Sequence, residues 1–458
     1  MKHALIEYDY TNMLSSHVGR MGAHTLEKKR MLKRLRIARK TLIERTQKKE
    51  IGFLSLGADA KKTISVCRSV LRQIPKECDT LLVIGIGGSD LGAKAIIQGV
   101  GRGGPVPRSP SLPACPVGRR ERRGMRVEFA GSTTEPDEVR RVMSTLNPAK
   151  TCINVVSKSG GTIEPLTVFL VFREWLIKSV GIEASKKRIV VTTDPKKSPM
   201  LTLAKKCGYL TLPIPSNVGG RYSALTACGI FPSMAAGCNV TALLQGANHV
   251  AKTLRGEHAD HHPAVQYALL HLVALERKRI SISVCMPYVR RLSEFGRWTR
   301  QLIAESLGKE DDIREKKVHA GITPISARGP EDQHSQLQLY AEGPFDKAIT
   351  FIEERISKEE IHVPVVKDLP EPLRSYSGLR LGQILRTERK ATAEALRTLG
   401  RPNGTIYIQR MNEEAIGALL MMFEISTVLM GFAININPFD QPGVELSKHL
   451  ARKGMGLH

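Results

Sequence analysis

Three separated segments of this chain supply side chains able to move protons. Residues 295–309 read FGRWTRQLIAESLGK and carry Gln301 and Glu305. Residues 332–335 read DQHS and carry His334, and residues 443–448 read GVELSK and carry Lys448. A carboxylate or an imidazole can take or give a proton, and an ammonium can polarise an oxygen. Gln301 and Glu305 are four apart, so a helix would place them on one face. Abstraction of a proton alpha to a carbonyl needs such a carboxylate near the carbon and positive charge near the developing oxyanion. Each residue alone has a plainer reading. Glu305 could pair with Lys309 one turn on, worth a few tenths of a kcal/mol. His334 could be a loop histidine, and Lys448 an exposed lysine of a terminal helix.

Three glycine turns offer something for these groups to act beside. GIGGSDLG at 85–92 looks at first like a dinucleotide fingerprint, but its third glycine would fall at Asp90. It also lacks the Gly-Lys-Ser/Thr ending of a P-loop, so NAD and ATP lose support. A strand–turn–helix remains, whose amides and Ser89 hydroxyl suit an anion. SKSGGTIEP at 157–165 repeats the arrangement, with Ser157, Ser159 and Thr162 as hydroxyls and Lys158 as charge. Such a turn at a helix start suits a phosphate monoester, and the competing reading is capping by Ser159 or Thr162. Two such turns on one sheet favour phosphate, because ligands collect at the carboxyl ends of parallel strands. VGGRYSALTACG at 218–229 puts Arg221 at a turn tip, able to stabilise an oxyanion or simply to pair with a surface carboxylate.

These residues need elements to hold them. Residues 1–75 read as mainly helical. Apolar runs at 80–86, 126–130, 152–157, 188–193 and 208–213 predict strands, with a turn at 87–92 and helices at 91–100 and 164–180 between them. A second set follows: helix 264–277, strand 280–286, helix 290–306, strands 347–352 and 404–409 with helix 379–399 between, and a helical segment at 443–458. Alternating strands and helices predict doubly wound parallel sheets, an α/β fold. The expected domains are a helical segment at 1–75, a first α/β domain at 76–255, a second at 256–410 and a C-terminal helical arm at 411–458.

Composition bounds the rest. The chain has 458 residues, 41% hydrophobic and 25% charged, which fits a soluble globular protein of two or three domains. The apolar run at 415–436 is long enough to cross a bilayer, but Glu424, Ser426 and Thr427 in its middle predict a buried helix plus strand, and no membrane partner. Residues 1–10 are mixed and no apolar signal core follows. Eight scattered cysteines without a CxxC pair read as free thiols in a reducing, cytoplasmic setting. His258, His261 and His262 beside Asp260 read as a solvated loop before a helix rather than a metal site. The net charge of +25 concentrates at 28–49, an amphipathic helix with Leu32, Leu35, Ala38 and Leu42 inward, and at 102–126, a flexible insertion rich in Pro, Gly and Arg. Such charge predicts a weak, nonspecific, salt-sensitive attraction to nucleic acid.

In this order, GIGGSDLG, SKSGGT, GGRYS, ESLGK, DQHS and GVELSK resemble the glucose-6-phosphate isomerase (phosphoglucose isomerase) family, over residues 81–448. The length is similar to that of its short bacterial members. The resemblance implies two sugar-isomerase (SIS) domains, a homodimer, no cofactor and no metal. It implies interconversion of glucose 6-phosphate and fructose 6-phosphate in glycolysis and gluconeogenesis. Carried over, Glu305 is the base acting between C1 and C2 through a cis-enediolate, and Arg221 stabilises that enediolate. His334, from the neighbouring subunit, and Lys448 assist ring opening and proton transfer between oxygens. Ser89, Ser157, Ser159 and Thr162 hold the sugar phosphate beside Lys158. Gln301 and Gln441 bind sugar hydroxyls, and Gly87 and Gly88 line the site. The chain departs from the family where Gly161 and Pro165 replace threonines and Ala93 replaces a common proline. A rival of another class is a phosphosugar-binding regulatory module, and a nearer one is an isomerase that also takes mannose 6-phosphate.

Overall fold

The computed structural model describes residues 5–101, 124–356, 359–366, 368 and 370–456. Most of the insertion expected at 102–126 therefore lies outside the described residues. Twelve strands occur among those described: β1 (Ile6–Asp9), β2 (Thr80–Ile84), β3 (Arg126–Ala130), β4 (Thr151–Val156), β5 (Ile189–Thr193), β6 (Leu210–Pro213), β7 (Ile282–Pro287), β8 (Lys309–Asp311), β9 (Lys317–Ala320), β10 (Thr323–Ser326), β11 (Lys347–Glu354) and β12 (Asn403–Ile408). Nine helices matter below: α1 (Thr25–Gln47), α2 (Leu91–Gly99), α3 (Ile163–Val180), α4 (Pro263–Lys278), α5 (Ser293–Leu307), α6 (Glu331–Ser335), α7 (Leu381–Thr398), α8 (Glu413–Ala433) and α9 (Glu445–Gly454).

One compact unit comprises the described residues of Ile51–Asn248 and Asn412–Gly417. Its sheet has the order β3-β2-β4-β5-β6, with every neighbouring pair parallel. The first strand by sequence lies between the second and the third, so the winding reverses between β2 and β4. Ligands bind at such a switch point, outside the carboxyl ends of the strands. β2, β4 and β5 are buried along their whole length, which is why they read as continuous apolar runs. Leu82, Ile153, Val155 and Val191 pack against Phe169, Phe172 and Leu176 of α3. The buried Asn154 amide oxygen accepts from Thr192 at 2.7 Å, tying β4 to β5.

The second unit comprises the described residues of Met1–Glu50, His249–Met411 and Ala418–His458. Its sheet runs β1-β12-β11-β7-β10; four strands are parallel and β1 lies antiparallel on β12. Val284, Met286, Ile349 and Phe351 pack against Ala393 and Leu396 of α7. Arg389 of α7 meets Glu353 of β11 at 2.7 Å, and both side chains are at most 5% exposed.

The expected α/β fold with parallel sheets is present, and three local expectations are corrected. The N-terminal region is not helix alone, because Ile6 and Tyr8 alternate inward as β1. In α1 the inward residue of the first turns is Met31, with Leu35, Ala38, Leu42 and Thr46, while Leu32 is only half-buried. The apolar run at 415–436 holds no strand. It is one helix, α8, rich in Leu, Met and Ala, stopped near Asn435, which adopts φ of 63°. This helix is long and apolar enough to cross a membrane, yet 94% of its apolar window is buried in the protein. Burial raises the pKa of Glu424 well above the usual carboxylate value, because the interior disfavours its charged form.

Candidate active site

On the first unit, two turns meet closely. Gly87–Ser89 forms a single 3₁₀ turn after β2, with Gly87 at φ of 60°. Gly220–Tyr222 forms another. Ser223 joins them: its hydroxyl lies 3.0 Å from the Gly88 carbonyl and 2.6 Å from the Gly220 carbonyl. A Cβ on Gly88 would run into the Gly220 carbonyl and the Arg221 amide, so only glycine permits this approach. Arg221 is 3% exposed and lies over the Tyr222 ring at 5.6 Å, so it is not a surface arginine.

The second phosphate candidate follows β4. Ser157 Oγ accepts from the Gly160 amide at 3.1 Å, and Ser159 Oγ accepts from the Gly161 amide at 3.3 Å. Gly160 takes φ of 67° to make this turn. Thr162 stands at the N-cap of α3 but makes no side-chain cap bond, so capping does not account for its hydroxyl. Lys158 Nζ donates to the carbonyls of Ser216 at 2.9 Å and Val218 at 2.8 Å, and burial lowers its pKa. Ser89, Ser157, Ser159 and Thr162 thus follow the carboxyl ends of β2 and β4, on either side of the reversal point. A substrate phosphate presented there would meet hydroxyls, helix-start amides and one half-buried ammonium.

The second unit holds the carboxylate. α5 buries Phe295, Trp298, Leu302 and Ile303 and leaves Gln301 and Glu305 half-exposed on the other face. Gln301 Nε2 donates to Glu305 Oε1 at 3.0 Å. Lys309 Nζ donates to the Glu305 backbone carbonyl at 2.5 Å and to the Asp440 carbonyl at 3.1 Å. It therefore fixes the end of α5 to the loop that leads into Gln441. A cavity of about 950 Å³ in this unit is lined by Lys309, Asp440, Gly443 and Arg45 among others.

His334 and Lys448 are not bonded to Glu305. His334 is exposed on the five-residue α6, with no bond to a described residue. Asp332 holds that turn. Its partial burial would raise its pKa, but hydrogen bonds from Ser335, Gln336 and the Arg328 amide outweigh burial and lower it. Lys448 pairs with Glu445 at 2.7 Å on α9, a helix with no buried residue. Reading by motif overlooked Ser223 and Lys309 as positioning groups, although both lie inside quoted segments. The histidine cluster serves structure. Asp260 pairs with Arg36 at 2.6 Å. His262 caps α4, accepting from the Ala264 amide at 3.1 Å, with its other ring nitrogen 3.1 Å from the Val250 carbonyl.

Parallel doubly wound sheets, one of them carrying glycine turns with hydroxyls and amides at its reversal point, define an α/β protein. The profile of the phosphoglucose isomerase family matches residues 67–455, and the chain belongs to that family. It is 35% identical to the glucose-6-phosphate isomerase of Carboxydothermus hydrogenoformans, over 89% of this chain and 85% of that one. It is also 35% identical to that of Rubrobacter xylanophilus, over 98% of both. Among solved structures it is similar to a hypothetical protein of Thermus thermophilus, with a TM-score of 0.84 and 32% identity over 98% of this chain and 99% of that one. A Chlamydia trachomatis glucose-6-phosphate isomerase shares the fold, with a TM-score of 0.72 at 23% identity, over 87% of this chain and 73% of that one.

Proposed function

We propose that this chain interconverts glucose 6-phosphate and fructose 6-phosphate by proton transfer through a cis-enediolate, as an aldose–ketose isomerase of glycolysis and gluconeogenesis. The observation that carries the mechanism is the Gln301–Glu305 hydrogen bond at 3.0 Å on the half-exposed face of α5, which orients the carboxylate. Glu305 moves the proton between C1 and C2. Arg221 carries the enediolate's negative charge, an interaction that strengthens as the charge develops. Ser89, Ser157, Ser159 and Thr162 hold the phosphate beside Lys158, with Gly87 and Gly88 allowing backbone approach. Gln301 and Gln441 bind sugar hydroxyls. His334 and Lys448 serve ring opening and proton transfer between oxygens.

The exposed position of His334, whose side chain bonds no described residue, supports its delivery to a second copy within a homodimer, and scattered cysteines without a CxxC pair support a cytoplasmic setting. On α1 the exposed Lys29, Arg30 and Lys33 support a weak, salt-sensitive attraction to nucleic acid. A coupled assay in both directions tests the central reading. Turnover of both sugar phosphates is expected, and an inactive purified dimer would overturn it. Size-exclusion chromatography with light scattering tests the dimer.

A further inference from the structure

The turn that carries Ser157 and Ser159 rests on two hydroxyls outside the substrate-facing set. β4 and β5 run parallel with Val156 beside Thr192, so Thr193 ends β5 next to Ser157. Thr193 is 2% exposed and Ser198 is 8% exposed, so water does not satisfy them. The Thr193 hydroxyl lies 2.7 Å from the Ser157 carbonyl, 3.4 Å from the Lys158 carbonyl and 2.7 Å from the Ser198 hydroxyl. Ser198 Oγ accepts from the Met200 amide at 3.2 Å, as the N-cap of the helix Pro199–Cys207.

One arrangement of protons satisfies the short contacts. A carbonyl oxygen accepts and never donates, so Thr193 gives its single proton to the Ser157 carbonyl. Ser198, whose oxygen already serves the Met200 amide, gives its proton to the Thr193 oxygen. The chain of bonds therefore runs from a helix-start amide through two hydroxyls to the carbonyl of the turn, and each bond polarises the next. Capping accounts for the Ser198 oxygen, but for neither the Ser198 proton nor Thr193. Asp194 fixes the approach. Its Oδ1 accepts from the Lys196 amide at 2.8 Å and the Lys197 amide at 3.2 Å, and its own amide donates to the Lys158 carbonyl at 3.3 Å.

The turn is packed directly onto this pair. A Cβ on Gly160 would lie 2.3 Å from Ser198 Oγ, so the hydroxyl sits against the glycine that makes the turn. Gly160 in turn gives its amide to Ser157 Oγ at 3.1 Å. That bond uses a lone pair of Ser157 and leaves its proton without an acceptor among the described residues. An anion supplies the missing acceptor.

We propose that Thr193 and Ser198 are positioning residues for phosphate. Thr193 holds the Ser157 carbonyl and Ser198 holds Thr193, so the Ser157 proton and the helix-start amides keep the spacing that one phosphate group requires. The ligand of this device is the phosphate group of a monoester, whichever sugar bears it. The proposal rests on the phosphate role given above, and it names the groups that keep that site in shape.

Inorganic phosphate titrated into the full-length protein, followed by phosphorus NMR line width, reads this site without turnover. Thr193→Val keeps the side-chain shape and removes the hydroxyl, and is expected to weaken phosphate binding about tenfold. Thr193→Ser is expected to restore it to within about twofold. In steady-state kinetics KM should rise by a similar factor with kcat unchanged, since phosphate is held alike in ground and transition states. A merely structural hydroxyl would lower the thermal midpoint and leave phosphate affinity as it was, and that outcome overturns the proposal. Where Thr193→Val does not fold, Ser198→Ala breaks the same chain one hydroxyl further out, and unchanged affinity there overturns it equally. A paired Ser157→Ala and Ser159→Ala variant separates the two readings. If it binds phosphate like the wild type, the phosphate role fails and this proposal with it. If it binds weakly while Thr193→Val does not, only this proposal fails.

Discussion

Gln301 and Glu305 sit one turn apart on α5 and share a hydrogen bond of 3.0 Å, amide to carboxylate. The bond orients the carboxylate, and a base needs a fixed orientation toward the proton it takes. Glu305→Gln is expected to lower kcat about 10²–10⁴-fold with little change in KM, since a base acts only in the transition state. Gln301→Ala should cost less, about tenfold, because it loosens the base without removing it. Steady-state kinetics with fructose 6-phosphate distinguish the two. A Glu305→Gln enzyme at full rate would disprove the assignment.

Gly88 is the position where the β2 turn touches the Arg221 turn. Gly88→Ala forces the Gly220 carbonyl and the Arg221 amide apart. Expected are a fall in kcat/KM of about a hundredfold or more, through displacement of Arg221, and a lower thermal midpoint. Gly443→Ala has open space at the corresponding Cβ and is the control.

Two buried histidines make stability fall with acid. Burial holds His262 and His271 near a pKa of about 4, against about 6.5 for a free histidine. Their folded pKa values are depressed, so the unfolded chain binds protons first as pH falls. The stabilisation is whole above about 6.5 and is withdrawn as pH drops toward 4, by on the order of 3 kcal/mol for each ring. Urea midpoints measured between pH 7 and 4 should fall accordingly. His262→Asn, which keeps a cap for α4, should flatten part of the slope.

The Arg389–Glu353 pair is the deepest ion pair among the described residues of its unit. Arg389 also reaches the Thr405 hydroxyl at 3.2 Å and the Tyr407 hydroxyl at 3.1 Å. Arg389→Ala strands a buried carboxylate and is expected to cost about 3–5 kcal/mol in chemical unfolding. Joint replacement of both partners by apolar residues of similar volume should cost less.

Burial on both faces decided which parts could be read before folding. β2, β4 and β5 are buried throughout and rich in Val, Ile and Leu, and were legible as strands. β1, β8, β9 and β10 have four residues or fewer and depend on partners distant in sequence, such as Ile408 for Ile6. No local pattern carries that information. The Gln301–Glu305 pair was legible because helical periodicity fixes it. Ser223 was not, since its contact with Gly88 spans 135 residues. Lys309 suggested a surface pair with Glu305, and packing instead aims its ammonium at two backbone carbonyls. Thr162 could have been a cap or a ligand group, and only its unused cap position separates the two.

The last helix has a consequence of its own. α9 holds Lys448 yet buries none of its ten residues, and Leu446 and Leu450 are 68% and 56% exposed. A helix this short has little autonomous stability in water. Its unfolding would therefore require almost no work from the two sheets, and activity could be lost and regained many times while the core stays folded. In such a protein a melting curve and an inactivation curve would report two different thermometers, one set by the sheets and one by a short helix that carries a lysine.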